Sequence, residues 1–279
     1  MMSAMRYLGT IVLNGLQWGL FCLWSFFWMS AAILRGSLPP RDPNIPLSWA
    51  RRFWGPGVIF LTRCNLIRHP GFSAAPGVPY IYVMNHQSML DIPVAFVSVP
   101  QNFRYIAKKS LKPIPFLGWY MSATGMVFID RKNHQSAVRS LDEACQKIRD
   151  GISILVYPEG TRSPDGSILP FKKGPFVMAI QAGVPIVPLA IEGSYRIVGR
   201  GSARLSPATV HFKAGEPIPT AGLTLDDRDR LMQKVRDALI DLHVSIGGRG
   251  GDKLTTVSPE GAEGKAGRGG RAGRPGALG

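Results

Sequence analysis

The feature that most restricts how this chain can fold is a run with no charged residue, Tyr7 to Leu34, closed off by Arg6 and Arg35. As a helix it would be about 42 Å long at 1.5 Å per residue, enough to cross a hydrocarbon layer of ~30 Å with some tilt. It is also far longer than the roughly 7 to 15 apolar residues of a cleaved signal peptide. Trp18, Trp24 and Trp28, with Phe21, Phe26 and Phe27, punctuate the run, and Trp favours the headgroup level over the bilayer centre. Behind it, Pro46 to Leu66 reads as a second helix in which Trp49, Phe53, Trp54, Val58, Ile59 and Phe60 alternate with Arg51, Arg52 and Arg63. That mixture suits an interface. Two arrangements are open, a spanning first helix or a re-entrant pair held in one leaflet. Arg35, Arg41, Arg51 and Arg52 outnumber Arg6, so spanning would leave the remainder on the cytoplasmic side of the inner (plasma) membrane.

Charge points the same way. The formal net charge is +15, and the stretch after Ile246 holds six basic and three acidic residues, so +12 belongs to the body. A basic surface draws anionic partners, nucleic acid or anionic lipid, and beside an apolar segment membrane lipid is the expected one. The only basis for nucleic acid is the Gly/Arg-rich end, and no nucleic-acid partner is expected. Cys22, Cys64 and Cys145 are odd in number and widely spaced, which suits neither a disulfide framework nor a cysteine zinc site. Each is read as a small buried apolar residue in a reducing compartment.

From Val78 onward, β-rich runs alternate with helical patterns. Residues 78–84, 103–107, 126–129, 152–157, 186–191 and 209–213 read as strands, and 93–97, 136–149, 175–182 and 225–245 as helices. In the second helix Val138, Leu141, Cys145 and Ile148 recur at helical spacing, and Gly151 can supply a left-handed cap. In the last, Thr224 is a fair N-cap and Leu231, Val235, Leu239 and Leu242 share one face. Such alternation predicts an α/β fold with a mostly parallel sheet flanked by helices, preceded by the membrane-embedded helical segment. The expected organisation is residues 1–67 as anchoring helices, 68–246 as the α/β domain and 247–279 as a disordered tail, Gly-rich with 12 glycines in its 33 residues. Since the motifs all follow Val78, a fragment lacking 1–67 is expected to fold.

Ligands of open α/β sheets gather beyond the carboxyl ends of strands, and three of these strands deliver charged residues there. Asn85-His86-Gln87-Ser88-Met89-Leu90-Asp91 follows the first, Asp130-Arg131 the third, and Tyr157-Pro158-Glu159-Gly160-Thr161-Arg162 the fourth. On a regular helix residues five apart diverge by about 140°, so His86 and Asp91 can pair only if the chain between them bends off helical geometry. Otherwise Asp91 is an N-cap and His86 a loop histidine. Arg131 and Arg162 together suit an anion, because guanidinium binds phosphate bidentately. Lys108, Lys109, Lys172 and Lys173 read either as helpers for phosphate or an acyl carrier, or as a solvated basic face.

In these residues the sequence resembles the 1-acylglycerol-3-phosphate acyltransferase (lysophosphatidic acid acyltransferase) family. Four blocks occur in order: His86 to Asp91 as H-x-x-x-x-D, Gly125 to Arg131, Pro158-Glu159-Gly160-Thr161-Arg162, and Val184-Pro185-Ile186-Val187-Pro188. They span about residues 78–215, and Tyr157 replaces the usual Phe. The resemblance implies that His86 is the base and Asp91 its partner, with Arg131, Glu159, Gly160, Thr161 and Arg162 forming the acceptor phosphate region. It implies transfer of a fatty acyl group from acyl-CoA or acyl carrier protein to the sn-2 hydroxyl of lysophosphatidic acid, giving phosphatidic acid. Physical chemistry agrees, since a hydroxyl needs a base near neutrality to attack a thioester, and a His can supply it. Glu159, acidic in a basic site, is expected to organise its loop or Arg162 rather than touch phosphate.

A different lyso-lipid acceptor, such as a lyso-ornithine lipid, and a non-catalytic module that binds anionic lipid are the alternatives. No G-x-S-x-G elbow, H-E-x-x-H, P-loop or zinc pairing occurs, so neither a cofactor nor a metal is expected.

Overall fold

A computed structural model of the chain describes residues 2–130 and 134–252. Its centre is a seven-stranded sheet of β1 (Cys64–Arg68), β2 (Ile81–Met84), β3 (Phe103–Lys108), β4 (Val127–Ile129), β5 (Ser153–Val156), β6 (Ile186–Glu192) and β7 (Ala208–Ala214). The order across the sheet is β1-β7-β6-β2-β5-β3-β4, and neighbours run parallel except β6 and β7. The strands expected from 78 onward all form, as a mostly parallel sheet flanked by helices. Burial on both faces follows from the strand period of 2. In β2, Tyr82 and Met84 enter one core while Ile81 and Val83 enter the other.

Helices α6 (His134–Arg149), α7 (Gly174–Ala182) and α9 (Arg228–Ser245) cover the Ile81/Val83 face. They are amphipathic or buried, and α6 turns Ala144, Cys145 and Ile148 inward. Val138, expected on that stripe, lies 43% exposed instead, near the start of the helix where the stripe drifts off the sheet. Thr224 caps the 3-10 turn Leu225–Asp227, exchanging bonds with Asp227 in a capping box, and α9 follows directly with Asp227 at its own N-cap.

The opposite face is covered from the N-terminal side by α1 (Met2–Ser37), α2 (Asn44–Trp49) and α3 (Gly55–Leu61), with a π-helical turn Ala50–Trp54 between the last two, and by α4 (Asp91–Ser98), α5 (Leu117–Ala123) and α8 (Ser194–Ile197). The second helix expected over 46–66 therefore ends at Leu61, and its last residues become β1, which pairs with β7 over five positions. Arg63, with φ +54, makes the turn, and an edge strand needs little apolar sequence to be held by its ladder. Leu47, Ala50 and Val58 are buried in the same core as β2 and β6. Residues 44–68 thus belong to the α/β core, across the boundary expected at 67.

α1 is two-sided. One side is fastened to the domain: Asn14 exchanges bonds with both backbone groups of Leu205 (3.2 and 2.9 Å), Gln17 donates to Leu61 O (3.2 Å), and the indoles of Trp18 and Trp24 donate to Ala203 O (2.6 Å) and Trp54 O (3.1 Å). The other side bares Ile11, Val12, Leu16, Leu20, Leu23, Phe27 and Leu34. It is the one helix among the described residues long and apolar enough to cross a membrane. Cys22, on this helix, is exposed rather than buried, while Cys145 is buried as expected.

At the far end, the tail expected from Gly247 is packed as far as Asp252. Gly248 lies against the His243 ring, where a Cβ would collide with it, and Gly251 approaches Ile168 O equally closely. Glycine here permits close approach rather than disorder. Residues 253–279 lie outside the described residues.

Candidate active site

The loop Asn85–Leu90 leaves the carboxyl end of β2, and α4 begins only at Asp91. The chain between His86 and Asp91 is therefore non-helical, as their pairing requires. His86 Nδ1 lies 2.7 Å from Asp91 Oδ2. That same oxygen accepts the backbone N–H groups of Gln87 (2.6 Å) and Ser88 (2.9 Å), while Asp91 Oδ1 accepts the Ser194 hydroxyl (2.5 Å). Asp91 is fully buried and the His86 side chain 17% exposed. With four donors around it, the carboxylate assigns the proton of the neutral imidazole to Nδ1 and leaves Nε2 as a lone pair. Nε2 has no partner among the described residues. The N-cap of α4 is Leu90, with no side-chain bond, so Asp91 is no ordinary cap; it gathers the turn and the histidine.

Polar residues around His86 fix the loop. Asn85 pairs with both backbone groups of Ile191 on β6 (2.9 Å each), and Ser88 Oγ donates to Val198 O (2.7 Å). The His86 ring stacks on Tyr157 at 3.9 Å between centroids and 18° between planes, so the family's usual Phe and this Tyr offer the same wall.

The loop after β5 clamps the His86 backbone from the other side. Glu159 Oε1 accepts from His86 N (3.2 Å), and Ser163 N donates to His86 O (2.7 Å). Gly160, at φ +72, turns the chain between them. Glu159 is 3% exposed and its second oxygen has no partner among the described residues. Burial holds its carboxyl well above the usual range, and the His86 N–H offsets that only in part. Glu159 therefore organises its loop as expected, but toward His86 and not toward Arg162. Thr161 is exposed and Arg162 half-buried at the surface of this loop, where Arg200 Nη1 reaches Arg162 O at 3.5 Å. Arg131 lies outside the described residues. Lys109 pairs with Asp130 (3.5 Å) and Lys173 with Asp229 (3.3 Å). No group of three or more His, Cys, Asp or Glu able to hold a metal occurs among the described residues.

Ser194, Gln87, Glu192 and His243 are site neighbours that the motifs do not announce. Ser194 had a signal, since Glu192-Gly193-Ser194 stands at the carboxyl end of β6 beside β2, where strand-end residues meet. His243 had none.

A base-like imidazole, a buried orienting carboxylate and an arginine on the adjoining loop form a set able to deprotonate a hydroxyl next to an anionic group. Known proteins resemble the chain over the segment that holds these residues. Residues 67–192 match the acyltransferase family model. The 1-acyl-sn-glycerol-3-phosphate acyltransferase of Saccharomyces cerevisiae is 37% identical over 185 residues, 65% of this chain and 61% of the relative. The human 1-acyl-sn-glycerol-3-phosphate acyltransferase alpha is 36% identical over 179 residues, 63% of each chain. The chain thus spans about three fifths of the length of these curated relatives. The crystal structure of the 1-acyl-sn-glycerophosphate (LPA) acyltransferase PlsC from Thermotoga maritima superposes with a TM-score of 0.72 at 28% identity, over 85% of this chain and 97% of that one. Residues 67–192 are thus similar to the acyltransferase family, and the yeast and human proteins that the chain resembles are 1-acyl-sn-glycerol-3-phosphate acyltransferases.

Proposed function

We propose that this protein transfers a fatty acyl group from the thioester of acyl-CoA or acyl carrier protein to the sn-2 hydroxyl of lysophosphatidic acid, forming phosphatidic acid. The observation that carries the reading is the 2.7 Å His86–Asp91 pair at a strand end, which places the proton of the neutral imidazole on Nδ1 and leaves Nε2 as the basic nitrogen. Nε2 takes the hydroxyl proton as the oxygen attacks the thioester carbonyl. The C–S bond breaks, and the proton on His86 neutralises the departing thiolate. Asp91 stabilises the transient imidazolium, so the acceptor oxygen is the nucleophile and no acyl-enzyme is required. Arg162, Thr161 and Gly160, joined by Arg131, hold the acceptor phosphate, while Glu159 fixes their loop to the His86 backbone.

The same reading holds α1 in one leaflet, with the domain against that membrane surface. A spanning helix is solvated by lipid all round, whereas Asn14, Gln17, Trp18 and Trp24 tie one side of α1 to the domain's polar loops. The bare stripe from Ile11 to Leu34, extended by Phe60 at 80% exposure and Trp119 at 53%, fits an in-plane immersion. A lyso-lipid hydroxyl lies at that same headgroup level.

The test is an assay of the full chain in vesicles against lysophosphatidate, lysophosphatidylcholine and a lyso-ornithine lipid, with both donor types. Phosphatidate is the expected main product. Preference for a lyso-lipid without a phosphomonoester would overturn the acceptor assignment, and absence of transfer to all of them would favour a lipid-binding module. In the same assay Arg162→Ala should raise KM for lysophosphatidate more than for the donor, because a phosphate contact belongs to one substrate.

A further inference from the structure

The matched segment ends at Glu192, yet that residue is the middle of a buried polar chain that continues into the last helix. His243 of α9 is fully buried, with Nε2 at 2.9 Å from Glu192 Oε2. Its other nitrogen, Nδ1, accepts from Gly250 N at 3.2 Å, so Nε2 carries the proton and donates to the carboxylate. Glu192 Oε2 also accepts from Gln87 Nε2 (3.0 Å), and its Oε1 accepts from Arg196 (2.9 Å). Burial alone would raise this carboxyl, but the bonds from His243 and Gln87 outweigh it and hold it below the usual range. Gln87 is pinned further by Gly166 O (2.9 Å) and Gly193 N (3.1 Å), and its own backbone N–H is one of the donors on Asp91.

We propose that His243 is a positioning residue for the reaction, acting through Glu192 and Gln87 to set Asp91 and thereby the tautomer and plane of His86. The inference rests on the reading of His86 as the base. Every group in the chain is spoken for, so removing the His243 N–H leaves a buried carboxylate oxygen short of a donor. The cheapest relief is rotation of Gln87, which carries the backbone N–H that Asp91 uses. Gly250 matters from the other side: it fixes which nitrogen of His243 faces Glu192.

Two isosteric variants separate this role from simple packing. In His243→Gln the amide nitrogen occupies the place of Nε2 and keeps the bond to Glu192. In His243→Asn the amide oxygen occupies the place of Nδ1 and keeps the bond to Gly250, but Glu192 is abandoned. Assayed as full chains on vesicle-borne lysophosphatidate, His243→Asn should lose about tenfold or more in kcat with KM for both substrates unchanged and the acidic limb of the kcat–pH profile displaced, whereas His243→Gln should stay near wild type. Glu192→Met, which removes the acceptor facing His243 and Gln87, should reproduce the loss. Unchanged kcat and pH profile in His243→Asn or Glu192→Met would overturn the proposal. So would equal losses in His243→Asn and His243→Gln that track a lowered Tm. His86→Ala runs alongside: if it stays active, the base assignment itself fails, whatever the His243 variants do.

Discussion

The two faces of the sheet are covered by helices of opposite character. On the Ile81/Val83 face, α6 and α9 present polar outer surfaces, with Arg139, Gln146, Lys234 and their like turned to solvent. On the other face α1 turns its polar side chains inward, to the domain, and its leucines outward. A helix buried at one face obeys the same rule in both places, that the inward side must satisfy what it meets. Under the proposed function what differs is the outer solvent, water for one face and lipid for the other. The site loops lie at the sheet edge between them, where the proposed acceptor, with one chain in the bilayer and a polar head, would be read.

Removing residues 1–67 should have the largest effect. It deletes β1 and the buried Leu47, Ala50 and Val58, baring the core that holds β2 and α4. The fragment is expected to lack a cooperative thermal transition. A folded fragment with native-like near-UV circular dichroism would show that the lipid-side helices are an appendage and would dissolve the contrast.

A milder change tests the outer solvent alone. Leu16, Leu20 and Leu23 are 62%, 52% and 67% exposed, and their joint replacement by Glu should release the protein from vesicles in a flotation assay while leaving circular dichroism unchanged. Val138→Glu, at an exposed apolar position on the opposite face, should leave flotation untouched. If the two variants float alike, the lipid-facing assignment of α1 is lost.

The smallest expected effect lies at Glu159. Its folded pKa is raised above its ordinary value of 4.5, so the folded state keeps a proton that the unfolded chain releases, and wild-type stability declines as pH rises through that interval. Glu159→Gln cannot ionise, so its Tm relative to wild type should climb as pH rises above 4.5. A constant offset would mean that the carboxyl ionises normally in the fold.

Legibility in the sequence followed the range of the interactions. The expected strands after Val78 were readable because period-2 burial is local. β1 was not, since Cys64–Arg68 has an exposed edge pattern and is a strand only because β7 supplies the ladder. α5 and α8 run only Leu117–Ala123 and Ser194–Ile197, too short for a helical period to emerge. His86 and Asp91 were legible because they lie five apart and share one loop. Gln87 with Glu192 and His243 were not, because those contacts close over 105 and 156 residues. Gly248 and Gly251 read as tail composition, and only the neighbouring His243 ring and Ile168 carbonyl show them to be packing positions.

The central claim is that His86 acts as the base toward a lyso-lipid hydroxyl. Its most direct test is a single-turnover measurement on His86→Ala in vesicles, following phosphatidate formation and lysophosphatidate binding together. The rate is expected to fall by about 10²- to 10⁴-fold with acceptor binding unchanged. A rate near wild type would contradict it.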